Sequence, residues 1–194
     1  MRKAILILMV LLVPVSSNAV ADNSNLWPVH RDDQFGFHIS YPPSWVIVPP
    51  KSNNVRFSIN PPGGAGNCNV MVRPNAELNG MSQAALNLEI EWMPNDQGGW
   101  AEYIGIPPSQ VRVIQSRRAI IHAVPVLLAV VETSLENLEG KYTRKQNVML
   151  TFTPGVVWSL NCGASTFKAD EARARFAELQ PTFSKIFGSF GFLK

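Results

Sequence analysis

The sequence predicts an α+β domain in which a central antiparallel sheet carries one middle helix and a C-terminal helix. Three observations lead there. Short runs between Phe37 and Cys162 alternate apolar and polar residues and are punctuated by Pro and Gly. Phe176, Leu179, Phe183, Ile186 and Phe187 recur at spacings of three and four, and a shorter stripe of Leu86, Ile90 and Met93 does the same. A period of two sends successive side chains to opposite sheet faces, whereas spacings of three and four gather them on one helix face.

In chain order, residues 1–21 have the features of a secretory signal peptide. Arg2 and Lys3 form a positive start, Ala4 to Val13 an apolar run, and Ala19-Val20-Ala21 a small-residue site, so cleavage after Ala21 is expected. Residues 22–32 read as a loose polar arm with Trp27 and Pro28 as its anchor, and residues 33–194 as a single domain. Phe37 to Tyr41 alternates as a half-buried strand does and is stopped by Pro42 and Pro43; Trp45 to Val48 and Val55 to Ile59 follow as short strands. The Pro61-Pro62-Gly63-Gly64-Ala65-Gly66 turn leads to a strand from Cys68 to Arg73. Ser82 is placed to cap a helix over Gln83 to Met93, with Pro94 as its stop. Gly98, Gly99, Gly105, Pro107 and Pro108 make the stretch from Asn95 to Pro108 read as a long loop.

The second half reads as an antiparallel meander. Val111 to Ile114 and Ala119 to His122 are two short strands, and Val126 to Thr133 is an apolar run suited to a sheet centre. After a turn over Leu135 to Gly140, residues Tyr142, Arg144, Gln146, Val148, Leu150 and Phe152 share one face of the next strand, apolar at one end and wet at the other. Thr153-Pro154-Gly155 turns the chain into a strand from Val156 to Cys162. Asp170 and Glu171 favour a helix start, Pro181 should kink or split that helix, and Ser189 to Phe192 closes the chain as an extended segment.

Charge and cysteine content narrow the function. The chain of 194 residues carries 17 basic and 14 acidic side chains; removing the leader leaves 173 residues with a net charge of +1. Nucleic-acid binding needs a clustered basic surplus, so that class is disfavoured. The apolar run of the leader is too short to span a bilayer, and no membrane span is expected in the mature chain. The two cysteines, Cys68 and Cys162, read as a disulfide in an oxidising compartment, with free thiols or a weak metal site as the alternatives.

No catalytic constellation is visible. Gly163-Ala164-Ser165 lacks the second glycine of a nucleophile elbow. His30, His38 and His122 do not stand at zinc-peptidase spacing; a cation site at His30 with Asp32 and Asp33 is the minor alternative to a polar loop entry. The Gly63 to Gly66 turn lacks the lysine of a phosphate loop. Arg117, Arg118, Lys141, Arg144 and Lys145 read as solubilising charges on sheet faces and edges, with an anionic partner as the alternative. The best binding candidates are Trp100, Tyr103 and Ile104 in the expected loop, which offer apolar area with polar handles; the competing reading is that they plug one end of the core. No cofactor is implied.

The opening Gly36-Phe37-His38-Ile39-Ser40-Tyr41-Pro42-Pro43-Ser44-Trp45 fits the pattern G-F-x-I-x-Y-P-x-x-W. With the element order, the aromatic Trp158 in the long hairpin and the closing helix that ends at Ser189-Phe190, the sequence resembles the PsbP-like family over about residues 33–193. That family is named for an extrinsic subunit of photosystem II and includes exported bacterial members. The resemblance implies an α-β-α sandwich around a central antiparallel sheet, and a binding or assembly role more than catalysis. The bacterial-type leader and the cysteine pair depart from the photosynthetic members, so no photosystem role is carried over. The expectation is an exported non-catalytic binding or assembly module, periplasmic or secreted, with an envelope or extracellular protein as partner. A periplasmic hydrolase whose site assembles only in three dimensions is the alternative.

Overall fold

The computed structural model describes residues 26–50, 52–138 and 140–193. The expected signal peptide and its cleavage site lie outside the described residues. Among the described residues ten strands and three α-helices follow in the order β1 Val29–Asp32, β2 Phe37–Ser40, β3 Val46–Ile47, β4 Val55–Asn60, β5 Gly66–Pro74, α1 Gln83–Trp92, α2 Gln97–Ile104, β6 Val111–Ile121, β7 Val124–Asn137, β8 Gly140–Thr153, β9 Val156–Thr166, α3 Ala169–Ser189 and β10 Gly191–Phe192. Strands β3-β4-β5-β9-β8-β7-β6 form one seven-stranded sheet in that order, and β1-β2-β10 form a second, three-stranded one. All pairings are antiparallel.

Alternation along the strands gives the large sheet two apolar faces. On the first, Ile59, Val70, Val72, Met149, Trp158 and Leu160 meet the α3 stripe of Phe176, Leu179, Phe183 and Ile186. On the second, Leu127, Ala129, Val131, Val148 and Leu150 meet Leu86 of α1 and Trp100 of α2. Helices on both faces make the α-β-α sandwich that the resemblance implied. The small sheet closes the first core with Phe37 and Ile39, both fully buried.

The two halves of the chain meet along the β5–β9 ladder. Cys68 sits opposite Cys162 in that register, and the two are joined as a disulfide across 94 positions of sequence. Both cysteines are buried. The chain ends are tied as well: the Ser40 amide donates to Ser189 Oγ at 2.9 Å, and β10 pairs with β2. A third tie runs from sheet to helix. Glu132 of β7 is buried on the α3 side and accepts from Arg173 Nε and Nη2 at 2.9 and 2.8 Å and from Arg112 Nη2 at 3.1 Å. These donors hold its carboxyl at about 2, well below the usual glutamate range.

Several elements differ from expectation, each for a local reason. Part of the loose arm of residues 22–32 is strand β1, paired with β2, and Trp27 lies under Lys185 Nζ at 4.1 Å. The two short strands after Pro108 are one strand, β6, with a register shift between Val113 and Gln115 that interrupts the alternation. The β6–β7 hairpin turns at His122 and Ala123, with φ of +48° and +67°, where no glycine signals a turn. The turn expected over Leu135 to Gly140 is shorter, because β7 continues to Asn137.

Two helices stand where one was expected, since the loop from Asn95 to Pro108 contains α2. Asp96 Oδ1 caps it by accepting from the Gly99 amide at 2.9 Å. Gly105, at φ +71°, ends it, and Gly99 lets the helix approach Pro94, whose oxygen would lie 2.5 Å from an added Cβ. Pro181 does not split α3, which runs from Ala169 to Ser189 as one helix. The carbonyl deprived of its donor belongs to Ala177, and Ala177 and Pro181 are both exposed, so water can satisfy it while the buried stripe holds the helix to the sheet.

Replacing both cysteines with alanine should lower the unfolding free energy by about 2–5 kcal/mol while leaving the far-ultraviolet spectrum native, as measured by urea titration. Glu132→Gln should cost about 2 kcal/mol at neutral pH. The folded-state carboxyl lies below its unfolded value, so this difference is fully present above the usual glutamate range and should vanish as pH falls toward about 2. Parallel acid titrations of the two proteins check both sign and window. Ala123→Gly should raise stability by about 1 kcal/mol by relieving a positive φ, read in the same urea titration.

Candidate functional site

The second face of the large sheet is only half covered. Over β6, β7 and the apolar end of β8, helices α1 and α2 pack on it. Toward β4, β5, β9 and the start of β8 the outward positions become polar: Ser58 and Asn60, Asn67 and Asn69, Ser159, Asn161 and Ser165, then Arg144 and Gln146. This is the wet end of the β8 face foreseen from Tyr142 to Phe152.

Two adjoining hollows occupy this half, sharing Asn69 and Arg144. The larger, about 820 Å³, lies between the Val48-Pro49-Pro50 segment and Tyr142 and is lined by Ser58, Asn60, Asn67 and Ser165. The smaller, about 170 Å³, runs under α2 and is lined by Tyr103, Ile104, Arg73, Gln146 and Asn161. No acidic side chain lines either hollow among the described residues.

A polar network holds the floor. Asn161 Nδ2 donates to Asn69 Oδ1 at 3.3 Å and to Ser159 Oγ at 3.1 Å, joining β9 to β5. Arg144 Nη2 donates to Asn67 Oδ1 at 3.2 Å. Arg144 Nε and Gln146 Oε1 are buried without a hydrogen-bond partner. Burial holds the Arg144 guanidinium below its usual range, and among the described residues it forms no ion pair. Gly163 permits this packing, because an added Cβ would lie 2.6 Å from Gln146 Cβ.

The three residues expected to bind a partner are brought together on α2 but play different parts. Trp100 is fully buried, stacks edge-on to Tyr103 and donates its indole N–H to Ser116 Oγ at 2.8 Å. It packs as a core side chain on the continuous apolar surface of β7 and β8 and also contributes to the wall of the smaller hollow. Tyr103 and Ile104 are half-buried at the rim of the smaller hollow. The Tyr103 hydroxyl donates to the Pro94 carbonyl at 2.8 Å, and burial followed by nearby Glu102 and Asp96 raises its pKa.

The other singled-out residues have structural partners. The His30 ring stacks on Phe57 at 4.2 Å, and burial lowers its pKa; it faces aromatic rings and not a cation site. His122 Nε2 lies 3.2 Å from the Gly188 carbonyl. Arg118 closes α1, donating to the Ile90 and Met93 carbonyls, while Arg117 points to the opposite face. Among the described residues no group of three His, Cys, Asp or Glu is placed to hold a metal ion. The polar set of Asn67, Asn69, Asn161 and Gln146 was not singled out in the sequence. Its signal was present as polar residues at alternate positions of β5 and β9, but which strands would adjoin was not written there.

No family model and no curated protein matches the sequence. Solved structures do. The cyanobacterial PsbP (CyanoP) of Synechocystis sp. PCC 6803 superposes with a TM-score of 0.54 at 13% identity, covering 91% of this chain and 97% of that one. The fold is PsbP-like. The Ran-binding protein Mog1p of Saccharomyces cerevisiae shares this PsbP-like fold with a TM-score of 0.52 at 9% identity, covering 87% of this chain and 96% of its own. The sandwich is therefore common ground for proteins that share little sequence.

Trp100→Ala should destabilise the protein by about 3–5 kcal/mol, whereas Tyr103→Ala at the rim should cost about 1 kcal/mol or less. Thermal and urea unfolding of the two variants checks the division between core and rim.

Proposed function

We propose that this protein is an exported, non-catalytic binding module that engages an envelope or extracellular protein along the rim formed by Tyr103 and Ile104. The observation that carries the reading is the uncovered half-face: a preformed hollow edged by amphipathic side chains on a capped helix. Tyrosine and aliphatic residues at such a rim offer contact area at small entropic cost. The disulfide fits an oxidising compartment, which supports export to the periplasm or beyond. A PsbP-like fold that serves a Ran-binding protein in yeast supports a role in protein binding. Among the described residues no helix is long and apolar enough to cross a membrane. The alternative hydrolase required a histidine in a pocket within reach of a carboxylate or serine, and among the described residues no histidine lines either hollow of this face.

A photocrosslinking side chain in place of Ile104 should trap one discrete protein adduct in cells that export this chain. The same group at Glu178, on the exposed side of α3, should not. Equal adducts at both positions, or none at Ile104, would remove the rim from the interface.

A further inference from the structure

The half-buried cation in the polar hollow has no acidic partner among the described residues. Arg144 stands where the two hollows join, and the residues that line them include Arg73 but no Asp or Glu among the described residues. Its hydrogen bond goes to a neutral acceptor, Asn67 Oδ1, and its Nε is buried without an acceptor. A guanidinium taken from water in this way costs stability unless an anion meets it. By contrast Glu132 has Arg173 and Arg112, and Arg175 has Glu178; Arg56, whose Nε is also buried without a hydrogen-bond partner, lies over the Phe35 ring at 4.0 Å.

We infer that Arg144 is the anchor of a binding site for a small organic carboxylate bearing hydroxyl or amide groups next to the acid. The planar fork of arginine matches a carboxylate side-on through Nε and Nη2; for this Nη2 yields its bond to Asn67 and the side chain turns to bring the buried Nε to the ligand. One cation at the junction balances one negative charge. Around it, the amides of Asn67, Asn69, Asn161 and Gln146 and the hydroxyls of Ser58 and Ser165 can each donate or accept. Such a ring suits the hydrogens and oxygens of a polar ligand better than the extra charge of a phosphate dianion. The hollow of about 820 Å³ falls within the range of about 300–1,000 Å³ common to small-molecule sites. The Pro49-Pro50 segment forms its far wall with little rotational freedom to lose. This site goes beyond the protein-binding reading and does not depend on it: its anchor Arg144 stands at the junction of the hollows, and the larger one is lined by neither Tyr103 nor Ile104.

The test is titration of the purified, disulfide-intact protein with lactate, N-acetylglycine, inorganic phosphate and a glutamate-rich peptide, followed through the Arg144 Nε–H resonance. Lactate or N-acetylglycine should bind saturably, and more tightly than phosphate or the peptide. Arg144→Gln, followed calorimetrically, should weaken binding at least about tenfold. Asn67→Asp is the second variant: its carboxylate would occupy Arg144 from within, so it should raise the melting temperature and abolish carboxylate binding. Absence of saturable binding by either small carboxylate, or binding undiminished in Arg144→Gln, would overturn the site. Tighter binding of phosphate would overturn the carboxylate class, and tighter binding of the peptide would overturn the small-ligand reading.

Discussion

The pairing of β5 with β9 is the constraint on which the rest of the molecule depends. It joins the β3–β5 hairpins to the β6–β9 meander through nine paired positions, and it closes a chain separation of 94 residues with the Cys68–Cys162 disulfide. Long loops of this kind are entropically costly to close, which is the term a disulfide reduces in the unfolded chain. The ladder also sets side-chain facing across the whole sheet. A slip of one residue would carry Cys68, Val70 and Val72 out of the α3 core and bring Asn67, Asn69 and Met71 into it.

With that register in place, the sheet carries two unlike surfaces. The α3 face carries the larger apolar core, and its buried polar groups Glu132 and Asn147 find partners on α3, so one long helix can cover it even with Pro181 in its middle. The opposite face changes character along its width. Its apolar half takes α1 and α2, and its polar half has nothing in the described chain to bury. A buried amide network needs its partners in place, and the Asn161 bonds to Asn69 and Ser159 supply them across the central ladder. Arg144 is the point at which this economy is incomplete, and a charge that folding does not compensate is where a ligand can act.

Much of the fold could be read from pattern. The α1 cap at Ser82, the β8 face from Tyr142 to Phe152, the Pro154-Gly155 turn and the α3 stripe follow from local chemistry that each segment carries by itself. Helix α2 was less legible, because Gly98, Gly99 and Gly105 resemble loop punctuation. One of them is a close-packing position against Pro94 and another a left-handed cap, and neither role can be told from a loop without its neighbour. The split of β6 arose from a bulge, which breaks alternation within a continuous strand.

The candidate site was legible in its parts and not in its assembly. The sequence by itself determined that β8 would have a wet end, that Arg144 would face away from Lys145, that two cysteines would favour a bridge, and that Trp100 and Tyr103 needed a place for their rings. Tertiary structure alone decided that Trp100 goes inward to Ser116 while Tyr103 stays at a rim, and that asparagines 92 positions apart come to share a hydrogen bond below an unpaired guanidinium. The physical reason is that alternation specifies which face a residue occupies, a property of the local backbone. What stands beside it on that face is set by strand order, and strand order is fixed only when distant segments pair.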